Sequence, residues 1–409
     1  MAPLTTRDVL RKHARDGTEV LDGFRGLAIV LVLVYHTWLF SWYTPDARLF
    51  GVTIPLDVFA RTGYLGVELF FAISGFVLFF PIVERHFRGG TCTPLRTFAI
   101  RRFLKIAPSY AIALIFTAIS VRSLHVNVAL GPALVEHALL VQNFFSDNFG
   151  TANSVFWSLA IEAQFYLVFP ALAWIFVRRP FLVAAVMVAL ALAYRYGAAT
   201  CCLLVEPVNR QLPAFADIFA SGMLCAYGVS RLRDNDVFLA RARPVATVVA
   251  IVAALGAFAL LKSANAIQYD IGGREKWILL NRTLFALTTS TLIFASCFAV
   301  RFWRTLVANP IAIFFSLISY NVYLWHTLVM IWLWKHDAIP SRNGDPHGDP
   351  RWKFTFIAGG WALSLGIATV LTYFVERPIL STHKPQNFAF DWNRIRPGSK
   401  RRASRETRT

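Results

Sequence analysis

The chain has 409 residues, of which 56% are hydrophobic and only 16% are charged, and its formal net charge is +18. A mean hydropathy of +0.52 excludes an ordinary soluble globular protein. In a soluble protein this charge would suggest nucleic-acid binding. Here, apolar stretches long enough to cross a hydrocarbon core of about 30 Å recur along the chain, so we predict a polytopic membrane protein.

Ten apolar stretches predict an all-α fold with ten transmembrane helices. Their approximate positions are 24–43, 63–83, 106–124, 155–177, 181–197, 212–230, 244–262, 280–301, 311–334 and 354–376. Lys and Arg concentrate before the first stretch, in the even-numbered loops and after the tenth stretch. By the positive-inside rule, both termini are then cytoplasmic.

The same pattern divides the chain into three parts. We predict a cytoplasmic N-terminal segment over 1–22, a membrane domain over 23–378, and a basic cytoplasmic tail over 379–409 that is expected to be disordered. The polybasic tail is typical of a segment attracted to anionic membrane lipid. Nucleic acid is not the expected partner, because no folded nucleic-acid-binding module accompanies the tail.

The first span contains two polar residues, Arg25 and His36, within LDGFRGLAIVLVLVYH. Eleven helical steps give a rise of about 16 Å and a rotation of about 20° beyond three turns, so both side chains face the same way. Arg25 then lies near the water boundary and His36 lies near mid-bilayer. Ionisable residues at that depth are rare and associated with function, although a packing role is the alternative.

The loop before the third span is basic and amphipathic. From Thr97 to Ile106, apolar residues alternate with Arg101, Arg102 and Lys105 at roughly helical spacing. This pattern predicts a helix lying in the membrane interface. One interpretation is anchoring to anionic headgroups; the other is a binding patch for the phosphates of a cytoplasmic anion, because guanidinium groups suit phosphate oxygens.

Five intramembrane polar residues are predicted to lie at one depth. The helix arithmetic places all five within about 4 to 8 Å of the midplane, on the outer side. Charged groups in lipid are costly unless they are paired or hydrated, so this coincidence predicts a shared polar cavity. The five residues are His36, Glu68, Glu162, Asp217 and His326.

Each of these intramembrane polar residues also has a simpler interpretation. Glu162 and Tyr166 are four residues apart and could hydrogen-bond to each other. Glu68 and Asp217 could be rim charges near the outer water. His326, which has Tyr320 and Tyr323 on neighbouring turns, could be a helix-packing histidine.

A group of polar residues at one depth in the membrane is suited to proton abstraction from an alcohol. A neutral imidazole can take the proton, and a carboxylate can orient the ring and stabilise its protonated form. We predict His36 as the base and Glu162 as its orienting partner. The segment ISGF around Ser74 lacks the GxSxG pattern of a serine nucleophile, which favours direct transfer. No metal is expected, since the cysteines have no CxxC spacing.

Six motifs, in order and spacing, resemble the signatures of the bacterial membrane acyltransferase family 3. They cover Leu21 to Pro378 and read LDGFRGLAIVLVLVYH, GYLGVELFFAISGFVLF, RRFLKIAPSY, FWSLAIEAQFYLVFP, SYNVYLWH and FVERP. Each motif alone is only suggestive. Six in the correct order make a chance match improbable.

The resemblance implies a ten-helix enzyme of the bacterial cytoplasmic membrane that uses cytoplasmic acyl-CoA, with acetyl as the expected group, to acylate a hydroxyl of a sugar or glycoconjugate. The family's Arg and His pair corresponds to Arg25 and His36, its WSLxxE glutamate to Glu162, and its basic stretch to Arg101 and Arg102. On this interpretation CoA never crosses the membrane and only the acyl group does.

These expectations define a set of site residues. The catalytic set is His36, Glu162 and Arg25, and the donor-binding set adds Arg101, Arg102 and Lys105 to Arg25. The acceptor-binding set is Glu68, Asp217, Tyr320 and His326.

Two other classes of protein compete with an enzyme. A proton-coupled secondary transporter would also bury His and Glu in its membrane domain. Such folds usually carry inverted repeats or matching interrupted helices, and neither is evident in this sequence. A membrane sensor or scaffold would leave the shared polar depth unexplained.

Overall fold

A computed structural model of the chain describes residues 18–381 except 45, 50–51, 90–93, 124–129, 146–149, 151, 203–207 and 343. The predicted N-terminal segment, up to residue 17, and the predicted basic tail, from residue 382, lie outside the described residues.

Ten helices among the described residues are long and apolar enough to span a membrane, which confirms the predicted all-α, polytopic fold class. They are Glu19–Ser41, Asp57–Arg88, Leu95–Ser120, Trp157–Phe176, Pro180–Cys201, Leu212–Leu232, Arg241–Ala266, Gly272–Phe298, Pro310–Lys335 and Pro350–Ser381. Each overlaps one predicted stretch. The side of the membrane on which each end lies stays a prediction.

The spans are built from α-helices with short 3₁₀ and π segments at several joints. The α-helices are α1 (Glu19–Ser41), α2 (Asp57–Thr62), α3 (Gly66–Arg88), α4 (Leu95–Ser123), α5 (Leu130–Ala138), α6 (Trp157–Phe176), α7 (Pro180–Cys202), α8 (Ala216–Leu232), α9 (Asp236–Ala266), α10 (Ile271–Lys276), α11 (Arg282–Phe298), α12 (Arg301–Val307), α13 (Pro310–Lys335), α14 (Pro350–Leu371) and α15 (Arg377–Ser381). The π segments are Trp277–Asn281 and Thr372–Glu376.

A short β-hairpin, which the sequence did not predict, follows α1. Strand β1 (Asp46–Leu49) pairs antiparallel with β2 (Val52–Pro55), and Leu49 lies opposite Val52. The hairpin joins the first and second spans.

The predicted interfacial helix is the beginning of the third span. Helix α4 runs without interruption from Leu95 to Ser123 and contains Pro108. The basic residues Arg101, Arg102 and Lys105 therefore lie on its first turns, where the helix also contacts other spans. A separate helix lying flat in the interface is not formed, because the amphipathic segment continues directly into the apolar one.

Helices α1 and α13 pack in parallel and carry four of the ten predicted site residues: Arg25, His36, Tyr320 and His326. The contacts Asp22 to Ser316, Arg25 to Ser319 and His36 to His326 advance together along both sequences. Close packing is possible because Gly26 lies against the backbone of α13: a Cβ there would be 2.0 Å from the carbonyl oxygen of Ala312. Small residues allow such backbone approach between membrane helices.

We expect Gly26→Val to destabilise the protein, because the added side chain must push α1 away from α13. Overpacking of a tight interface typically costs about 1–3 kcal/mol. Gly197→Val is the matched control, since no atom lies within 4 Å of a Cβ at that helical glycine. The thermal midpoint of the detergent-solubilised chain should fall for the first variant and stay unchanged or rise for the second. Equal midpoints would contradict tight packing at Gly26.

The turn-rich loop before the tenth span ends in a helix cap. Asp349 precedes Pro350 and accepts hydrogen bonds from the backbone amides of Arg351, at 2.9 Å, and Trp352, at 3.3 Å. Its other oxygen accepts from the backbone N–H of Arg342 at 3.1 Å. These hydrogen bonds lower the pKa of Asp349, and the bond from the backbone amide of Arg342 contributes most. They fix the start of α14 and the loop that leads to it.

Asp349→Asn should lower the thermal midpoint near neutral pH. The amide group keeps one acceptor for α14 but presents an N–H toward the Arg342 N–H. Because the folded-state pKa is depressed, the carboxylate's contribution is complete above its ordinary value of about 3.9 and is lost as pH falls through the lower folded value. The difference in midpoint between wild type and variant should therefore be constant from about pH 5 to 8 and shrink in stronger acid. A difference that grows on acidification would contradict this.

Candidate active site

A first cavity, here called the Arg25 cavity, lies between α1, α3, α4, α6 and α13 and has about 830 Å³ of empty space, which includes space open to the surroundings. Arg25 projects from α1, and its Nε donates to Ser319 Oγ on α13 at 3.0 Å. The cavity is lined by Arg25, Val67, Phe70, Phe71, Ile73, Ser74, Val77, Leu78, Arg102, Lys105, Ile106, Ser158, Leu159, Glu162, Tyr166, Ser319, Tyr320 and Tyr323.

Three cations converge on the Arg25 cavity, because α4 adds two to the one on α1. The Arg102 guanidinium lies 5.6 Å from the ring centre of Phe98 and 5.4 Å from that of Tyr166. Stacking of this kind fixes a guanidinium while leaving its N–H edge able to bind an anion. Arg101, which was predicted beside it, is buried and does not line the cavity.

Lys105 is held by a carboxylate that was not among the predicted site residues. Its ammonium group forms an ion pair with Glu376, in the closing FVERP motif, and lies 5.3 Å from the ring centre of Tyr320. The second oxygen of Glu376 accepts from Asn321 Nδ2 at 3.0 Å. Because Glu376 and Asn321 both lie within quoted motifs, a search of those motifs for a partner to the basic patch would have found them.

Tyr320, predicted to bind the acceptor, also lines the Arg25 cavity. Its hydroxyl donates to the backbone carbonyl of Ile106 at 2.7 Å. This bond ties α13 to α4 beside Lys105.

Glu162 faces the Arg25 cavity and is not brought into contact with His36. Its Oε1 accepts hydrogen bonds from Ser74 Oγ, at 2.9 Å, and from the hydroxyl of Tyr166. The simple expectation of a Glu162–Tyr166 hydrogen bond therefore matches the geometry. Glu162 lies among the cations of the Arg25 cavity and lines no part of the second cavity, in which His36 lies.

The second cavity, here called the His36 cavity, has about 1340 Å³ of empty space, which includes space open to the surroundings. It combines aromatic surfaces with one acidic and three basic side chains. The lining residues are Tyr35, His36, Leu39, Tyr64, Val67, Glu68, Gly150, Ser154, Val155, Trp157, Asn209, Arg210, Phe215, Ala264, Ile267, Arg274, Trp277, Ile278, Arg282 and Tyr323.

The hydrogen bonds of two histidines determine which nitrogen of His36 can act as a base. His36 Nδ1 lies 2.9 Å from the carbonyl oxygen of Val32, and His326 Nδ1 lies 2.9 Å from that of Val322. A carbonyl only accepts, so both Nδ1 atoms carry the proton. The 3.1 Å contact between the two rings is then a bond from His36 Nδ1–H to His326 Nε2. In the neutral ring, the lone pair of His36 therefore resides on Nε2.

The remaining two predicted acids are paired with arginines. Glu68 lines the His36 cavity and accepts from Arg282 Nε at 2.9 Å. Asp217 forms a fully buried ion pair with Arg195 and lines neither cavity. Buried charges are tolerated when they are paired and hydrogen-bonded in this way. Sequence reasoning missed both arginines, although each lies inside an apolar span and was therefore a visible candidate partner.

The two cavities adjoin at Val67 and Tyr323, which line both. Tyr323 is held in place because its hydroxyl lies 2.6 Å from Ser158 Oγ and 3.0 Å from the carbonyl oxygen of Val155. The cavity lined by the three cations and the cavity that contains His36 thus share one pair of side chains.

No cluster of three or more His, Cys, Asp or Glu side chains suited to a metal ion occurs within the part of the chain that the structure describes. The charges of both cavities come instead from arginine, lysine and glutamate.

Comparison with known proteins places this geometry in context. A family model described as an acyltransferase domain matches residues 19–377. A peptidoglycan O-acetyltransferase of Listeria monocytogenes is 28% identical over 179 residues, which are 41% of this chain and 26% of that protein. A putative peptidoglycan O-acetyltransferase of Bacillus subtilis is 27% identical over 164 residues, which cover 37% and 23%.

A putative O-acetyltransferase of Staphylococcus aureus is also 27% identical over 164 residues, covering 37% of this chain and 24% of that protein. The matched region thus spans about a quarter of each of these curated relatives. No solved structure matches the chain.

Proposed function

Since this chain belongs to membrane acyltransferase family 3, we propose that it is an O-acetyltransferase that moves an acetyl group from acetyl-CoA to a hydroxyl of a sugar or glycoconjugate. The observation that carries the proposal is the meeting of two cavities at Val67 and Tyr323, one lined by three cations and the other by His36. The membrane is taken to be the bacterial cytoplasmic membrane.

The donor occupies the Arg25 cavity and enters from the cytoplasm. Arg25, Arg102 and Lys105 supply positive charge for the phosphates of CoA, and guanidinium groups bind phosphate oxygens well. Arg101 is buried and does not line this cavity, so the proposal leaves it out of phosphate binding. The positive-inside distribution of Lys and Arg favours the cytoplasmic side for this cavity.

The acceptor occupies the His36 cavity. His36 Nε2 takes the proton of the acceptor hydroxyl while the hydroxyl oxygen attacks the thioester carbonyl carbon. The carbon–sulfur bond then breaks, and the proton on His36 passes to the departing thiolate. The products are an acetyl ester and free CoA, so atoms and charge balance.

His326 and Glu162 act through other groups. His326 Nε2 accepts from His36 Nδ1, which holds the ring with Nε2 toward the acceptor. Glu162 fixes Ser74 and Tyr166 in the donor cavity. Arg25 adds positive charge on the thiolate side, which would stabilise the developing negative charge in the transition state.

The curated relatives support the class of acceptor. Two of them are named for peptidoglycan O-acetylation, which favours an envelope glycan hydroxyl as the acceptor of this chain as well. Of the four residues predicted around the acceptor, the proposal keeps Glu68, which lines the His36 cavity, and His326, which contacts His36. Tyr320 lines the donor cavity and Asp217 lines neither cavity, so the proposal does not place them at the acceptor.

The test uses the full chain in sealed proteoliposomes with acetyl-labelled CoA on one side and glycan fragments on the other. The proposal expects labelled acetyl esters on the acceptor side while CoA stays on the donor side. Intact acetyl-CoA or acceptor crossing the membrane without ester formation would instead indicate a transporter. Labelled ester formed only when both substrates share a side would overturn the proposed route.

A further inference from the structure

We propose that Arg282 and Glu68 bind hydroxyl groups of a neutral sugar in the His36 cavity. In this assignment Nη1 of Arg282 donates to one hydroxyl oxygen, and Oε2 of Glu68 accepts from a hydroxyl group. The inference rests on the proposed function, because it takes the occupant of the cavity to be the acetyl acceptor. It adds Arg282 to the residues around that acceptor, and it narrows the acceptor to a sugar with hydroxyl groups beyond the one that is acetylated.

Arg282 and Glu68 form an ion pair in the wall of the His36 cavity. Nε of Arg282 donates to Oε1 of Glu68 at 2.9 Å, and both residues line the cavity. The guanidinium also lies 4.6 Å from the ring centre of Phe215, which is another lining residue. The carboxylate and the aromatic ring together hold the guanidinium in one place.

Each member of this ion pair keeps one polar atom without a hydrogen bond. Nη1 of Arg282 and Oε2 of Glu68 are buried and have no hydrogen-bond partner among the described residues. The two residues are only 7% and 4% exposed. Buried polar groups are nearly always hydrogen-bonded, and an unpaired one costs free energy that a ligand in the cavity would recover.

The two unpaired atoms suit the hydroxyl groups of a sugar. Nη1 of Arg282 is a donor, whereas Oε2 of Glu68 is an acceptor. A hydroxyl group both donates and accepts, so hydroxyls of one sugar can serve both atoms. An ionised carboxylate only accepts, and it would leave Oε2 of Glu68 unpaired. Tyr64 and Trp157 give the same cavity aromatic faces on which a sugar ring can pack.

A π segment places Arg282 in the cavity wall. The segment Trp277–Asn281 ends directly before Arg282, and π segments within helices are frequent at functional sites. Arg195, on α7, donates from Nη1 to the carbonyl oxygen of Ile278 and from Nη2 to Thr283 Oγ1, both at 3.0 Å. These bonds tie residues on either side of Arg282 to a neighbouring span, so the backbone that carries the guanidinium is held in place.

The test measures binding to the full chain in nanodiscs by saturation-transfer NMR. The probes are methyl β-glucoside and the four analogues that each lack one of its hydroxyl groups. A site that hydrogen-bonds a substrate hydroxyl rejects the analogue without it, because the buried polar group is then unpaired. We expect at least one analogue to bind the wild-type chain about tenfold more weakly than the parent sugar, a difference of about 1.4 kcal/mol. Equal binding of all five sugars, or no binding of any, would overturn the inference.

Arg282→Lys tests whether Arg282 is the donor. Lysine can pair with Glu68 where Nε does, but its side chain does not extend to the position of Nη1, so most of the discrimination between parent and analogue should disappear. Arg304→Lys is the matched control, because Arg304 also pairs through Nε with a carboxylate, that of Glu19 at 3.3 Å, and lines neither cavity. The control should discriminate as the wild-type chain does. Unchanged discrimination in Arg282→Lys would contradict the assignment.

A double variant keeps the test decisive where Arg282→Lys does not fold. Glu68→Gln combined with Arg282→Gln removes both charges together, so neither is left buried alone. This double variant should bind the parent sugar more weakly than the wild-type chain and should not distinguish the analogues. Discrimination at the wild-type level in the double variant would also overturn the inference.

These experiments separate the inference from the proposed function, because binding does not require transfer. Discrimination among the sugars without any acetyl transfer would remove the enzyme assignment and leave a sugar-binding cavity. Acetyl transfer without such discrimination would remove the inference and leave the enzyme.

Discussion

Replacement of His36 by glutamine is expected to lower the rate of acetyl transfer by a factor of about 10²–10⁴. Glutamine preserves a polar side chain but cannot take up a proton at neutral pH. In the neutral ring, the Nε2 lone pair is the proposed proton acceptor, because Nδ1 carries the proton donated to Val32 and His326. Binding of acetyl-CoA should be unchanged, since His36 does not line the Arg25 cavity.

The measurement is single-turnover transfer together with equilibrium binding of acetyl-CoA. His336→Gln is the matched control, because this exposed histidine at the end of α13 lines neither cavity. Transfer by His36→Gln within a few-fold of wild type would exclude His36 as the base. A loss of acetyl-CoA binding in this variant would contradict the separation of the two cavities.

His326→Gln should have a smaller effect than His36→Gln. His326 acts through His36, and the hydrogen bond at its Nε2 can be partly replaced by the glutamine carbonyl. We expect the pH profile of transfer to change shape, because the environment of the proposed base changes. A purely structural role would lower the amount of folded protein and leave that profile in place.

The sequence predicted the spans and the principal polar residues because both depend on the arrangement within single helices. Apolar length gives a membrane helix, and helical periodicity places Arg25 and His36 on one side of α1. Both do contact α13, at Ser319 and His326. These are properties of one segment and its immediate physical environment.

Contacts between helices were less accessible, because they depend on crossing angle and rotation. Depth alone put Glu162 level with His36, yet α6 turns Glu162 toward Ser74 and Tyr166 in the other cavity. The predicted depths also gave no partners for Glu68 and Asp217, whereas in the structure they form ion pairs with Arg282 and Arg195, respectively. The need to pair a buried acid could have drawn attention to those arginines, but not to which acid each one serves.

A larger side chain where the two cavities adjoin is expected to cause a second large loss of acetyl transfer. Val67 is 6% exposed and lines both cavities with Tyr323. A larger side chain there should close the route between donor and acceptor without removing a charge or a base. We expect Val67→Phe to reduce transfer by about 100-fold, the loss that a misplacement of about 1 Å between reacting groups can cause, while acetyl-CoA still binds.

A series at Val67 separates obstruction from damage to the fold. Val67→Ala, Val67→Ile and Val67→Phe change volume in steps, and each can be checked for a monodisperse, folded product. Val77→Phe is the matched control, because Val77 lines the Arg25 cavity alone. Val77→Phe should weaken the binding of acetyl-CoA instead of blocking transfer from bound acetyl-CoA.

Transfer that falls steadily with side-chain volume at Val67, at constant donor affinity, is the outcome that a shared passage requires. Val67→Ala should in addition accept propionyl-CoA or butyryl-CoA better than wild type does, because the passage limits the size of the acyl group. If Val67→Phe folded, bound acetyl-CoA and transferred acetyl at the wild-type rate, the acetyl group would have to take another route, and the meeting of the two cavities would be irrelevant to catalysis.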